Sequence, residues 1–145
     1  MRKPAAAILC TAAMALFAAS LFLPAFMCAH SKGFPGYVVL VIGFIDPRWL
    51  GNIGFVLLLV ASLRGSPYKR PRVALATAAV ALASFAQSAG CEGGGGAPGL
   101  STGLAIGGYL WVAALLASCA ANQFVGQVTA AHSERANTAP KKQLP

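Results

Sequence analysis

Residues 88–99 read SAGCEGGGGAPG, in which a cysteine and a glutamate precede four consecutive glycines. A glycine-rich loop cradles phosphate when a strand precedes it and a Lys-Ser/Thr pair or a dinucleotide-binding helix follows. The sequence predicts neither context here, so we interpret residues 93–96 as a flexible turn. Cys91 and Glu92 are the residues of this stretch that could still bind a metal or, for Cys91, form a disulfide.

Two cysteines are candidates for a disulfide. Cys28 and Cys91 each follow a long apolar segment, and the membrane topology that the charge distribution predicts places both on the non-cytoplasmic side. Disulfides persist in oxidising compartments, but the bond requires Cα atoms within about 7 Å, and two free, inert thiols are the alternative. His30 and Glu92 complete a set of zinc-ligand types. Because the spacings C-x-H and C-E are weak metal signals, we predict no metal and no other cofactor.

The chain is poor in groups that catalyse reactions. It holds three acidic residues and two histidines, and none falls clearly within an apolar segment, where ionisable residues mark proton and ion pathways. We therefore predict that the protein is neither an enzyme nor a proton-coupled pump. Four uncharged polar residues near the outer ends of the apolar segments either line a ligand pocket or form interhelical hydrogen bonds: Asn52, Ser84, Gln87 and Tyr109.

The composition indicates that lipid solvates much of the chain. Hydrophobic residues make up 57% of it and charged residues 10%, against roughly 25% charged residues in soluble domains, and the mean hydropathy is +0.69. A membrane-spanning helix needs about 20 mainly apolar residues, and such segments must be helical in lipid to satisfy their backbone. We predict an all-α polytopic membrane protein, a four-helix transmembrane bundle within residues 1–125, with spans at about 5–27, 47–63, 73–90 and 103–124.

The distribution of charge predicts the orientation of these spans. The net charge is +8, and nine of the eleven Lys and Arg residues share one side if the chain crosses four times: Arg2, Lys3, Arg64, Lys69, Arg70, Arg72, Arg135, Lys141 and Lys142. By the positive-inside rule that side is the cytoplasm. We expect a multi-pass protein of the bacterial inner (plasma) membrane with both termini cytoplasmic, in contact with lipid and not with nucleic acid. A cleaved signal peptide is the alternative for the first span.

The segments outside the four spans carry further expectations. Residues 35–44 are apolar but too short to cross a bilayer, so we expect a short extra helix on the outer side, interfacial or re-entrant; one kinked helix over 36–63 is the alternative. Arg48 and Trp49 are of the types that anchor a helix at headgroup level. Residues 126–145 are polar without apolar periodicity, which predicts a disordered cytoplasmic tail.

Small residues recur at helical spacing in and before the last span: Gly99, Gly103, Gly107, Ala114 and Ser118. Small residues let helices approach one another closely in membranes. The pattern predicts packing within the bundle, and contact with a second copy or with a larger membrane-protein partner is the alternative use of the same surface.

Four short stretches occur in a recognisable order, namely LP at 23–24, GYVVLVIGFI at 36–45, WLGNIGFVLLL at 49–59 and GGYLWVAALL at 107–116. Together they resemble a group of small, uncharacterised bacterial inner-membrane proteins with four hydrophobic segments and the pattern LP…GYxxLxxG…WxxNxxxL…GYxW. The resemblance covers about residues 20–118, and Ile53 stands where the pattern has a proline. It implies the four-helix fold and the membrane location, and it implies no activity.

These observations favour a non-enzymatic integral membrane protein with an accessory or interaction role, of which immunity to a membrane-targeted toxin is one example. The first alternative is a small-molecule-binding protein or transporter subunit that uses the polar cluster around Asn52. The second is an envelope thiol or metal protein that uses Cys28, His30 and Cys91.

Overall fold

The computed structural model describes residues 3–28, 34–42, 49–68, 71–85, 90–91 and 99–138, and it is mostly helical. Its helices are α1 (Lys3–Phe22), α2 (Gly36–Ile42), α3 (Leu50–Leu63), α4 (Pro71–Ala83) and α5 (Ile106–Thr138). Three short strands, β1 (Phe26–Cys28), β2 (Gly90–Cys91) and β3 (Gly99–Leu104), form an antiparallel sheet in the order β1-β3-β2. The sheet lies where α1 ends and α5 begins, and we call this the sheet end. The opposite end, where α3 turns into α4, is the loop end.

Helix α5 is the centre of the bundle, because α1, α3 and α4 all pack along it. Its contact with α1 is the most extensive, while α3 and α4 form a hairpin on another side and α1 touches α3 only slightly. The side chains that α5 buries against these neighbours are small or of medium size: Val112, Ala114, Leu115, Ser118, Ala121, Asn122 and Val125. The fold therefore depends on how closely three helices can approach the last one.

Large apolar side chains are exposed on the outer surface of the bundle, and many of the buried positions hold small residues. Small residues such as Cys10, Ala13 and Ala81 are fully buried, whereas Phe22 is 79% exposed and Leu75 is 72% exposed. Soluble proteins rarely leave large apolar patches in contact with water, and small residues at helix contacts are typical of membrane bundles. The outer surface of this bundle is suited to lipid.

The buried hydroxyl groups are bonded within their own helices. Each donates to a carbonyl three or four residues earlier, over 2.6 to 2.8 Å: Ser20 to Phe17, Ser62 to Leu58, Thr77 to Val73, Ser84 to Val80 and Ser118 to Leu115. This local bonding is common for Ser and Thr in helices. It leaves these hydroxyls satisfied without water, as an apolar interior requires.

Two helices are long and apolar enough to cross a membrane, namely Ala5–Phe22 of α1 and Ile106–Ala131 of α5. Helices α3 and α4 are apolar but have 14 and 13 residues, which corresponds to about 21 and 20 Å of helix against a hydrocarbon core of about 30 Å. The helical class agrees with the sequence prediction, and by length and composition alone two of the four expected spans meet the requirement.

The element boundaries differ from the expected spans. Helix α1 ends at Phe22 because Pro24 lacks the N–H that would continue the helix, and the chain then enters β1. Helix α5 begins at Ile106, so the predicted packing residues Gly99 and Gly103 lie in β3. It continues to Thr138, where a disordered tail from residue 126 was expected; residues 139–145 lie outside the described part.

The short helix α2 falls within the segment 35–44 that was expected to form one. The indole Nε1 of Trp49 donates to the Leu40 carbonyl over 2.9 Å. This hydrogen bond joins α2 to the residue that precedes α3. Residues 43–48 lie outside the described part of the chain, so the alternative of one kinked helix over 36–63 stays a prediction.

Glycine sets the distance between α3 and α4. A Cβ on Gly54 would overlap the hydroxyl of Thr77, and Thr77 is itself buried at 3% exposure. Gly51 likewise lies close to α5, because a Cβ on it would be 3.1 Å from Cδ1 of Leu115. The two glycines therefore allow α3 to contact α4 and α5 at the same time.

We predict that Gly54→Ala destabilises the bundle, because the added methyl group must displace Thr77 or separate the helices. Overpacking of this kind costs about 1–3 kcal/mol of the free energy of unfolding. Gly126→Ala is the matched control, since its Cβ would meet only Pro67 at an ordinary 3.6 Å; it should leave stability unchanged or raise it by about 0.5–1 kcal/mol. Thermal or SDS-induced unfolding in detergent micelles measures both. Equal stability of the two variants would contradict the close contact.

Candidate functional site

The segment that follows α1 caps the beginning of α5. The carbonyl of Ala25 accepts a hydrogen bond from the Ala105 N–H over 3.0 Å, and the carbonyl of Pro24 accepts one from the Gly107 N–H over 2.9 Å. The first N–H groups of a helix lack partners within the helix, and this segment supplies backbone carbonyls to the Gly107 N–H of the first turn and to the Ala105 N–H just before it. Gly107 permits the approach, because a Cβ there would lie 2.7 Å from the Pro24 oxygen.

A cavity of about 90 Å³ lies beneath this cap, between α2 and the sheet ends of α1, α3 and α5. It is partly open to the outside of the bundle, and its wall is mainly apolar. Both tryptophans of the chain line it. No charged side chain occurs among the described residues of the wall, which include Phe17, Val39, Trp49, Asn52, Ser84 and Trp111.

One side-chain hydrogen bond joins α3 to α5 at the cavity. Nε1 of Trp111 donates to Oδ1 of Asn52 over 2.8 Å. The indole nitrogen can only donate, so the amide oxygen of Asn52 must face it and the NH₂ group must point away from it. Among the described residues, Nδ2 of Asn52 has no hydrogen-bond acceptor.

The other side-chain donors of the cavity wall are already used. Trp49 donates to the Leu40 carbonyl, and the hydroxyls of Ser20 and Ser84 donate to carbonyls of their own helices. The amide of Asn52 is therefore the uncommitted side-chain donor among the described residues of the wall. A site with this composition can bind a neutral molecule through shape and a single hydrogen bond.

The structure brings together part of the polar cluster named from the sequence. Asn52 and Ser84 both line the cavity. Tyr109 does not; it is 51% exposed and packs against Phe85 with ring centroids 5.8 Å apart. Gln87 lies outside the described residues.

The hydrogen bond between Trp111 and Asn52 was not predicted from the sequence. The bond joins residues 59 positions apart, and no local pattern pairs them. The signal that could have suggested the pair is the predicted depth of the two residues in the membrane: an indole and an amide lie at a similar level in two apolar helices.

The predicted packing and anchoring residues separate into two groups. Ala114 and Ser118 are fully buried at the centre of the bundle, whereas Gly103 adopts φ +154° in β3. The β1–β3 register shifts next to it, between Met27 and Cys28, and glycine accommodates such a bulge at little steric cost.

Trp49, expected as a headgroup anchor, is half-buried and bonded to α2; its neighbour Arg48 lies outside the described residues.

The two cysteines considered for a disulfide lie on opposite sides of β3. Cys28 pairs with Ser101 in β1–β3, and Cys91 pairs with Gly99 in β2–β3. Their Cα atoms are thus about 9–10 Å or more apart, two interstrand spacings, and a bond would require one outer strand to move, because disulfides span about 7 Å at most. The disulfide stays a prediction.

The remaining metal-ligand candidates, His30 and Glu92, lie outside the described residues. Among the residues that the structure describes, no group of three His, Cys, Asp or Glu side chains could hold a metal ion. Cys10 and Cys119 are free thiols. The sulfhydryl of Cys119 donates to the Ala74 carbonyl of α4 over 3.4 Å, which is a packing contact between α5 and α4.

We predict a measurable coupling between Asn52 and Trp111. Asn52→Ala and Trp111→Phe each remove one side of the hydrogen bond, and the double variant should be less destabilised than the sum of the two. Interhelical hydrogen bonds in membrane bundles are worth about 0.6 kcal/mol on average and up to about 1.7 kcal/mol. Unfolding of the four proteins in detergent gives the coupling. Strict additivity would show that the bond contributes nothing to the fold.

Comparisons with other proteins add no assignment to this geometry. No family model matches the chain, no curated protein matches it and no solved structure matches it. The role of the fold and of the cavity therefore has to be inferred from their own physical chemistry.

Proposed function

We propose that this chain is a four-span integral protein of the bacterial plasma membrane with a non-enzymatic accessory or interaction role. The observation that carries the proposal is the outer surface of the bundle, where many large apolar side chains such as Phe22, Leu75 and Leu82 are exposed. Helix α1 packs along α5 and buries Cys10 and Ala13 there, which supports its retention as a permanent span. The sequence resemblance to small four-segment inner-membrane proteins is consistent with this proposal.

The contacts of α3 and α4 support four spans instead of two. Near the sheet end, Asn52 is bonded to Trp111; at the loop end, the Tyr68 N–H donates to Oδ1 of Asn122 over 2.8 Å. Both partners lie within the apolar part of α5 that could cross a membrane, Ile106–Ala131. If this part of α5 lies in lipid, the hairpin packed along it lies in lipid too. Local thinning of the bilayer accommodates helices shorter than its core.

The interior and the length of α5 support an interaction role over transport. The buried hydroxyls along the bundle are bonded to their own helices, so they offer no polar path through it. Helix α5 has 33 residues, about 50 Å, and therefore extends about 20 Å beyond a 30 Å hydrocarbon core. Its distal part exposes Gln127, Thr129 and Ser133. We infer that this extension is a surface for a partner on the cytoplasmic side.

A second candidate function is the binding of a small molecule, and the cavity favours it. The cavity combines an apolar wall, two indole rings and one uncommitted amide donor. Binding sites for small molecules typically join a mainly apolar wall with a few placed polar groups.

We predict that cysteines introduced at Ser66 and Ser133 lie on the same side of the membrane. Both side chains are exposed, Ser66 between α3 and α4 and Ser133 on distal α5. In a Cys28→Ser, Cys91→Ser background, an impermeant maleimide should label neither position in intact cells and both after lysis.

The outcomes of this labelling distinguish the topologies. If only α1 and α5 crossed the membrane, the α3–α4 connection would lie on the opposite side from distal α5, and only one of the two cysteines would label in intact cells. Labelling of both positions in intact cells would retain four spans but reverse the orientation. The unsubstituted background protein reports any reaction of the buried native thiols.

A further inference from the structure

We propose that the cavity at the sheet end binds the carbonyl head of a neutral, lipid-soluble molecule. The carbonyl oxygen accepts a hydrogen bond from Nδ2 of Asn52, and the alkyl part of the molecule leaves through the open side of the cavity. The inference rests on the second candidate function and adds the chemical class of the ligand.

The uncommitted donor among the described residues of the wall favours a ligand that accepts a hydrogen bond. Trp111 holds the amide oxygen of Asn52 and thereby fixes which end of the amide is available. An amide N–H left unpaired in apolar surroundings costs free energy, and a carbonyl oxygen removes that cost. A ligand that can only donate hydrogen bonds would leave Nδ2 of Asn52 without an acceptor.

The described wall of the cavity favours a neutral ligand. None of its described residues carries a charged side chain, so a carboxylate or an ammonium group would lose its hydration without gaining a counter-ion. The aromatic walls formed by Phe17, Trp49 and Trp111 favour an apolar body next to the polar atom.

The volume determines how much of the ligand enters. A water-sized group occupies roughly 30 Å³, so the cavity of about 90 Å³ has room for about three such groups. This is the size of a methyl ketone head or of one ester group. The remainder must lie outside, in the lipid that surrounds the open side.

The two indole groups make the site observable, because the chain has no other tryptophan. Protein labelled with ¹⁵N-tryptophan, in maltoside micelles, is titrated with methyl octyl ketone, with decane and with decanoate, and the two indole N–H resonances are followed by NMR. The expected result is a saturable shift of both resonances with the ketone and none with decane or decanoate. Equal shifts with decane would overturn the carbonyl assignment.

Variants test the place of binding. Val39→Phe fills the cavity from α2 and should abolish the saturable shift, whereas Val41→Phe is the matched control, because Val41 is 71% exposed on the same helix. Asn52→Leu should weaken ketone binding about tenfold, the factor that roughly one hydrogen bond supplies. A ketone titration that neither Val39→Phe nor Asn52→Leu changes would place binding elsewhere and overturn the proposal. Two sharp indole resonances in each variant confirm that the bundle is intact, so a failure of this inference is distinct from a failure of the fold.

The carbonyl could belong to a membrane lipid or to a free molecule. Bilayer discs of ester-linked and of ether-linked phosphatidylcholine differ in whether the lipid offers carbonyl groups. Indole shifts specific to the ester lipid, absent in Val39→Phe, assign the site to the lipid. Identical indole resonances in both discs, together with the saturable ketone shift, assign it to a free molecule.

Discussion

The carbonyl groups of Pro24 and Ala25 meet the first N–H groups of α5, and the rest of the architecture depends on this contact. It holds the end of α1 against the beginning of α5, so these two helix ends lie side by side at the sheet end. Strand β1 then continues directly into its pairing with β3, from Phe26 opposite Leu104. The same backbone forms one wall of the cavity, so the cap that completes α5 also creates the site.

Glycine makes this arrangement sterically available. Side chains on Gly107 and Gly108 would collide with the carbonyls of the capping segment, and a side chain on Gly36 would collide with the Ser20 carbonyl at the end of α1. The Gly36 N–H donates to the Leu23 carbonyl over 3.0 Å. The three glycines let four chain segments converge at the sheet end without leaving backbone groups unsatisfied.

The sequence predicts the helical elements well because hydropathy acts locally. Apolar runs without charge located α1, α3, α4 and α5, and the short run after Phe34 located α2. It predicts the sheet poorly, since β2 and β3 contain glycine where strands favour branched residues, and the β1 partners of β3, Phe26 and Met27, lie more than seventy positions away. Strand pairing at such separation has no local signature.

The same distinction applies to the site. Asn52 and Ser84 stand out as polar residues in apolar segments, and both reach the cavity. The role of Trp111 depends on which face of α5 meets α3, and a helix that is apolar nearly all round does not reveal its faces from sequence. Likewise, α5 extends to Thr138 through residues without apolar periodicity, so the sequence does not predict this part of the helix.

The central position of α5 has a consequence for how the protein is made. Synthesis proceeds from the N-terminus, so α1, α3 and α4 leave the ribosome before the helix on which all three pack. Helix α1 has little contact with α3 until α5 is present, and its surface around Cys10 and Ala13 remains uncovered for that interval. Assembly of the bundle is therefore a late step, completed when the last helix is in place, and a chain truncated before Ile106 would lack the element that joins its helices.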